Sequence, residues 1–285
     1  MALRKPDYAG SWYPASPEQC RREIERYEER ARELSVTPDE TVGGIVPHAG
    51  WYYSGEVACA VLKSIARWSS PETVVIFGMH LGPASDHVIM AEGAWETPLG
   101  ILEIDEVLSR ELTESFDFVE ETPSFYEPDN TIEVQLPFVK YFFPESRILP
   151  VGVAPRAEAL EIGERVADLL AKREGQGVVV GSTDLTHYGP NYGFAPRGTG
   201  EKAVEWVRNN NDKRMTDLMV QMNPSAMLQE ARSSRNACCV GAAAAAVAAV
   251  KRLGCRAGEL LVYRTSYDIE PSTSFVGYAG VVYYR

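Results

Sequence analysis

The chain has 285 residues, 45% of them apolar and 24% charged, with a formal net charge of −12 at pH 7. Its 28 lysines and arginines are scattered rather than gathered into a stripe, so the footprint that a phosphate backbone demands is missing and nucleic acid is not an expected partner. No apolar run approaches the ~18 residues of a membrane helix, and no apolar stretch follows the early basic residues as in a secretory signal, so one soluble, cytoplasmic domain over 1–285 is expected, without a membrane partner.

Helix and strand signals alternate along the chain. Ser16-Pro17-Glu18-Gln19 reads as a helix cap with proline in the first turn, followed by the charged stretch Cys20 to Leu34. Val42 to Val46 reads as a short buried strand ending in Pro47-His48-Ala49-Gly50. A helix over Gly55 to Ala66 follows, then the strand Thr73 to Gly78, which stops at Met79-His80. Helices are expected near Glu106 to Ser115 and Thr131 to Phe142, a strand over Arg147 to Val153, and a helix over Ala157 to Lys172. The next strand, Val178 to Ser182, ends in Thr183-Asp184-Leu185-Thr186-His187. Tyr188 to Gly200 reads as a long loop over the site. Helices over Glu201 to Asn209, Asp212 to Gln221 and the alanine-rich Gly241 to Leu253 precede strands Leu260 to Thr265 and Phe275 to Tyr284. The class is α/β, a single-domain mixed sheet flanked by helices.

Three of the four histidines, His48, His80 and His187, sit just beyond buried strands. In open α/β sheets ligands bind beyond the carboxyl ends of the strands, so the three are expected to share one site. The competing reading for any one of them is a structural histidine satisfied by backbone. His87 follows no such strand and is read as structural or surface. Cys238-Cys239 precedes the alanine-rich helix, where the positive end of the helix favours thiolate, the form that binds metal; a small buried cysteine is the alternative. Cys20, Cys59 and Cys255 are expected to pack, without disulfides.

Asp184 could orient a site histidine or ligate. Glu133 stands in a helix capped by Asp129 or Asn130 and is either a site carboxylate or a solvated one. Trp12-Tyr13 and Trp51, Tyr52 and Tyr53 could wall a pocket for a planar substrate or pack the core. Phosphate-loop, nucleophile-elbow and zinc-protease signatures are absent, which leaves a metal site as the strongest chemical reading.

At these residues the sequence resembles the Memo family, known in microbes as the B component of the AmmeMemoRadiSam system. The matching segments are Ala9 to Tyr13, Pro47 to Gly50 with Tyr53-Ser54-Gly55, Gly78-Met79-His80, Thr131-Ile132-Glu133 with Leu136-Pro137, Ser182 to His187, and Asn236-Ala237-Cys238. The resemblance implies the fold of the class III extradiol ring-cleaving dioxygenases, which bind Fe(II) through two histidines and a carboxylate. It assigns His48 and His80 as metal ligands, Cys238 in place of the carboxylate, and His187 as the acid/base with Asp184 beside it. Trp12, Tyr53 and Glu133 are expected at the substrate. Fe(II) is the implied metal, and the softer thiolate would also accept copper or zinc.

Two departures stand out. Many members carry Cys-Gly followed by Gly-Pro where this chain has Cys238-Cys239-Val240-Gly241-Ala242, which leaves open which cysteine ligates. Asn130 and Gln135 stand where members often have histidine. The expected function is a non-haem iron or copper redox enzyme acting on a small aromatic molecule. The alternative is a non-catalytic module that binds metal or a peptide, as animal members described as signalling adaptors imply, and metal-assisted hydrolysis is a third reading. A homo-oligomer is allowed by either.

Overall fold

A computed structural model describes residues 2–31, 40–173 and 177–285. Its strands are β1 (Leu3–Arg4), β2 (Thr41–Val46), β3 (Thr73–Gly78), β4 (His87–Met90), β5 (Ala94–Thr97), β6 (Gly100–Glu103), β7 (Phe118–Glu121), β8 (Arg147–Gly152), β9 (Gly177–Ser182), β10 (His187–Tyr188), β11 (Ala257–Thr265) and β12 (Phe275–Tyr284). The helices are α1 (Pro17–Arg30), α2 (Trp51–Ala66), α3 (Glu106–Thr113), α4 (Asn130–Glu133), α5 (Leu136–Phe142), α6 (Glu158–Leu170), α7 (Glu201–Trp206), α8 (Asp212–Val220), α9 (Pro224–Ser234) and α10 (Val240–Arg252). Leu34, the expected end of the first helix, lies outside the described residues.

The large sheet runs β10-β12-β2-β9-β3-β8-β4-β7, with β11 also on β12. Four central strands, β2, β9, β3 and β8, are parallel, while β12 joins β2 and β4 joins β8 antiparallel. The sheet is therefore mixed. Its parallel centre is apolar on both faces because helices cover both. On β3, Val74 and Ile76 enter the core shared with α1, α2 and α5, whereas Val75 and Phe77 enter the core shared with α6 and α10. A period of two thus feeds two cores from one strand.

Close helix packing explains the alanines of α10. Residues Val240 to Val250 are all buried, and a Cβ on Gly163 of α6 would stand 2.1 Å from the Ala245 carbonyl oxygen. Larger side chains on either helix would force the pair apart.

Several expectations are corrected. The helix expected over Thr131 to Phe142 is two, α4 and α5, with the break at Val134-Gln135 just ahead of Pro137, which has no amide to continue the ladder. Helix α9, opened by Asn223 capping the Ala226 amide, and the short strands β4 to β7 had no periodic signal strong enough to register. His87 begins strand β4 and is fully buried, with Nδ1 accepting from the Ala154 amide at 3.1 Å and Nε2 3.0 Å from Glu158. Of the two readings expected of His87, structural or surface, the structural one therefore holds. Within 188–200, Tyr188 ends β10 and Pro190–Tyr192 form a 3-10 turn.

Candidate functional site

Strand β9 lies between β2 and β3, and the three end side by side at Ser182, Val46 and Gly78. The loops that leave them carry His48, His80 and Asp184 to the same rim. Beyond β3 the backbone turns through Met79 at φ 70°, a left-handed conformation rare for a residue with a side chain. Its amide is held by the Thr131 hydroxyl at 2.6 Å, and the space beside it exists because position 152 is glycine, where a Cβ would meet the Met79 sulfur at 2.4 Å.

His48 and His80 each have one ring nitrogen already committed. His48 Nδ1 lies 3.0 Å from Ser182 Oγ, whose hydroxyl donates to the Thr131 carbonyl at 2.7 Å, so the serine oxygen accepts and the proton sits on Nδ1. Around His80, Nδ1 lies 3.0 Å from Asp129 Oδ2, a carboxylate that also takes the His80 amide. The Nε2 atoms are left to face other partners. His48 Nε2 is 3.2 Å from the Cys238 sulfur, and the two imidazoles stand edge to face with centroids 5.0 Å apart. The donor atoms of His48, His80, Cys238 and Cys239 all lie within 4.8 Å of one another.

Charge reinforces the arrangement. Burial alone would raise the Cys238 thiol, but Cys239, His48 and His80 around the sulfur outweigh it and hold the thiol well below its ordinary value. Its sulfur also accepts the Asp184 amide at 3.3 Å. His80 is pushed up to about 10 by its hydrogen bonds to Asp129 and Cys238. Burial lowers His48 less than Asp184 and Cys238 raise it. Burial, then the neighbouring Cys238, drives Cys239 well up. A thiolate facing two imidazoles whose far nitrogens are fixed is a donor set that fits a divalent or soft monovalent cation, which would replace the ring protons.

The rings of His48 and His80 form the floor of a cleft of ≈ 580 Å³ whose walls include Trp12, Tyr53, Asp184, His187 and Tyr192. His187 stands edge to face with Tyr192, centroids 5.0 Å apart. Asp184 Oδ1 accepts the His48 amide at 2.7 Å, and Oδ2 lies 3.9 Å from His48 Nε2. Burial raises the Asp184 carboxyl against the pull of His48. Glu133 is not brought to the cleft. It is fully buried and accepts from the Asp7 and Tyr8 amides and the Tyr13 hydroxyl, pinning the N-terminal segment. Asn130 and Gln135, at positions where histidine was the resemblance's expectation, donate to the His48 and Pro47 carbonyls and brace that loop.

Sequence reasoning missed Asp129 and Ser182 as partners of the histidines. Asp129 read only as a helix cap, which it also is, and a carboxylate 49 positions from His80 leaves no local signal. Tyr192, Tyr278 and Glu270 of the cleft wall were likewise unread.

A family model described as Memo-like protein matches residues 4–282. The chain belongs to the Memo family. It is similar to a MEMO1 family protein of Methanopyrus kandleri, 37% identical over 293 residues that cover 99% of each chain. A MEMO1 family protein of Pyrobaculum aerophilum is 29% identical over 295 residues, all of both chains. Among solved structures, an uncharacterized Escherichia coli K12 protein, JW3007, matches with a TM-score of 0.50 at 12% identity, covering 84% of this Memo chain and 99% of that one. That likeness speaks for the fold alone. Among the described residues no helix is long and apolar enough to cross a membrane.

Proposed function

We propose that this Memo-family chain is a metal-dependent oxidoreductase of the non-haem iron type, related to the class III extradiol dioxygenases, acting on a small phenolic or other aromatic molecule. One observation carries the reading: Ser182 and Asp129 each occupy the far nitrogen of a histidine, so both remaining nitrogens and the Cys238 sulfur are left to meet beside the cleft that the two histidines line. His48, His80 and Cys238 would hold the metal, with iron(II) the expected ion and copper or zinc compatible with the thiolate. Bound there, the metal supplies a Lewis-acidic, redox-active centre for a substrate hydroxyl.

The remaining work falls to side chains on the cleft wall. His187 takes the hydroxyl proton and returns it later, a role its place in the cleft supports. Asp184 accepts the His48 amide and so holds the backbone from which the ring projects. Trp12 and Tyr53 wall a planar ring. Among the described residues that line the cleft none is lysine or arginine, while Asp184 and Glu270 are acidic, so a neutral or cationic aromatic suits it better than a carboxylated one.

The exposed rings at the rim, Tyr52 at 68% and Trp12 at 37% exposure, favour a second reading: a module that binds a peptide without turnover. Metal analysis of protein purified anaerobically, with His48→Ala, His80→Ala and Cys238→Ala variants, followed by oxygen uptake with a panel of catechols, separates the two. Metal lost in all three variants together with oxygen uptake that a His187→Ala variant lacks supports the enzyme. Metal-loaded protein that consumes no oxygen with any catechol supports the binding module.

A further inference from the structure

Cys239 is the one member of the four-residue donor cluster that the reading above leaves without a task. We propose that it is a fourth ligand, so that this chain holds its metal through two histidines and two adjacent thiolates. The inference rests on His48, His80 and Cys238 forming a metal centre.

Three observations carry it. The Cys239 donor atom lies with the other three inside the 4.8 Å limit. In a tetrahedral site with metal–nitrogen bonds of ~2.0–2.1 Å and metal–sulfur bonds of ~2.3 Å, donors stand roughly 3.3–3.8 Å apart, so the set closes by side-chain rotation. His48 Nε2 and Cys238 at 3.2 Å are already that close. Second, the Cys239 backbone is fixed independently of its sulfur. It caps α10, its amide donates to the Thr183 hydroxyl at 3.1 Å and its carbonyl accepts the Ala243 amide, so its side chain can turn without disturbing the helix. Third, the approach is from the core. Cys239 is buried at 3% exposure among the apolar residues beneath the sheet's end, and neither cysteine lines the cleft that His48, His80 and Asp184 border. A fourth ligand from that side keeps its sulfur out of the cleft, so that substrate would reach the metal only as a fifth ligand.

The chemical consequence is selectivity. Two thiolates and two imidazoles make a softer, more negative set than the two-histidine, one-carboxylate face of the extradiol enzymes, and would shift the preference from the iron(II) expected of the three-ligand centre toward zinc or copper(I).

Cobalt(II) added to the metal-free full chain is the probe, read by sulfur-to-cobalt charge-transfer absorption and by competition with zinc. Cys239→Ala is expected to bind one cobalt with about half the charge-transfer intensity, and to hold zinc more weakly by at least the roughly tenfold that loss of even an outer partner costs. Cys239→Ser, nearly the size of cysteine, gives the same reading should the alanine variant unfold. Full intensity and undiminished zinc affinity in both variants, with Cys238→Ala losing the band entirely, would overturn the proposal and leave a one-thiolate centre intact. Cobalt binding unaffected in His48→Ala and Cys238→Ala would instead remove the three-ligand centre itself, and this inference with it.

Discussion

His80 Nδ1 lies 3.0 Å from Asp129 Oδ2, while the other oxygen of the same carboxylate takes the Thr131 amide at 2.8 Å and opens helix α4. One side chain therefore caps a helix and aims a candidate ligand. Burial would raise this carboxyl, but His80 and Thr131 outweigh it and hold it below the usual carboxylate range. Asp129→Asn keeps a capping oxygen and removes the charge on His80. Its thermal stability is expected to stay near wild type, whereas Asp129→Ala costs about 1 kcal/mol as a lost cap. In metal titrations both variants should bind roughly 10–100-fold more weakly. Wild-type metal affinity in Asp129→Asn would separate capping from ligand orientation.

Glycine 78 ends β3 against the same helix. A Cβ there would stand 2.5 Å from both Thr131 Oγ1 and Ile132 Cγ1. Gly78→Ala is expected to destabilise the chain by roughly 1–3 kcal/mol through overpacking. Displacement of Thr131, which holds the Met79 amide, should also weaken metal binding. Chemical denaturation and metal titration of the one variant check both; a destabilised variant that binds metal normally would mean that the shift is absorbed on the Ile132 side.

Glu133 offers the opposite pattern. Glu133→Ala leaves the Asp7 and Tyr8 amides and the Tyr13 hydroxyl without their acceptor, a loss of roughly 1–3 kcal/mol for each group that stays buried. Because the carboxylate faces the N-terminal segment rather than the cleft, metal stoichiometry at low temperature should be unchanged. A variant of normal stability that fails to retain metal would restore Glu133 to the site.

Asp212 gives the pH dependence. It is fully buried, accepts from the Thr186 amide at 3.0 Å, the Thr186 hydroxyl and the Tyr263 hydroxyl at 2.7 Å, and burial against these bonds raises its carboxyl from 3.8 to about 6. A carboxyl raised on folding favours the folded state most below about pH 4, and that contribution is lost as pH climbs through about 6. The difference corresponds to about 3 kcal/mol. Denaturant unfolding between pH 4 and 7 should show Asp212→Asn gaining on wild type by that order as pH rises. A pH-independent difference between the two proteins would show that Asp212 is ionised throughout.

Much of the fold was legible along the chain. Strands β3 and β12 fall where their β-branched and aromatic runs start and stop, at Thr73–Gly78 and Phe275–Tyr284, because a buried strand's boundaries are set by the polar or glycine residues beside it. Placement beyond strand ends singled out His48, His80 and His187, since such residues of a parallel sheet meet at one rim, whereas the choice of Cys238 over Cys239 came only from the resemblance to the Memo family. The direction in which Glu133 points was not legible, because its partners are 120 to 126 positions away.

What the residues by themselves determined is the α/β class, from local patterns of apolar and polar side chains, and, through the motifs by which the chain resembles the Memo family, that family and the list of groups able to hold a metal. Only the tertiary structure decided how those groups are used. The insertion of β9 between β2 and β3 puts Ser182 on His48, and the start of α4 puts Asp129 on His80. Hydrogen bonds of this kind join residues 134 and 49 positions apart, and their geometry exists only once both cores have closed around the sheet.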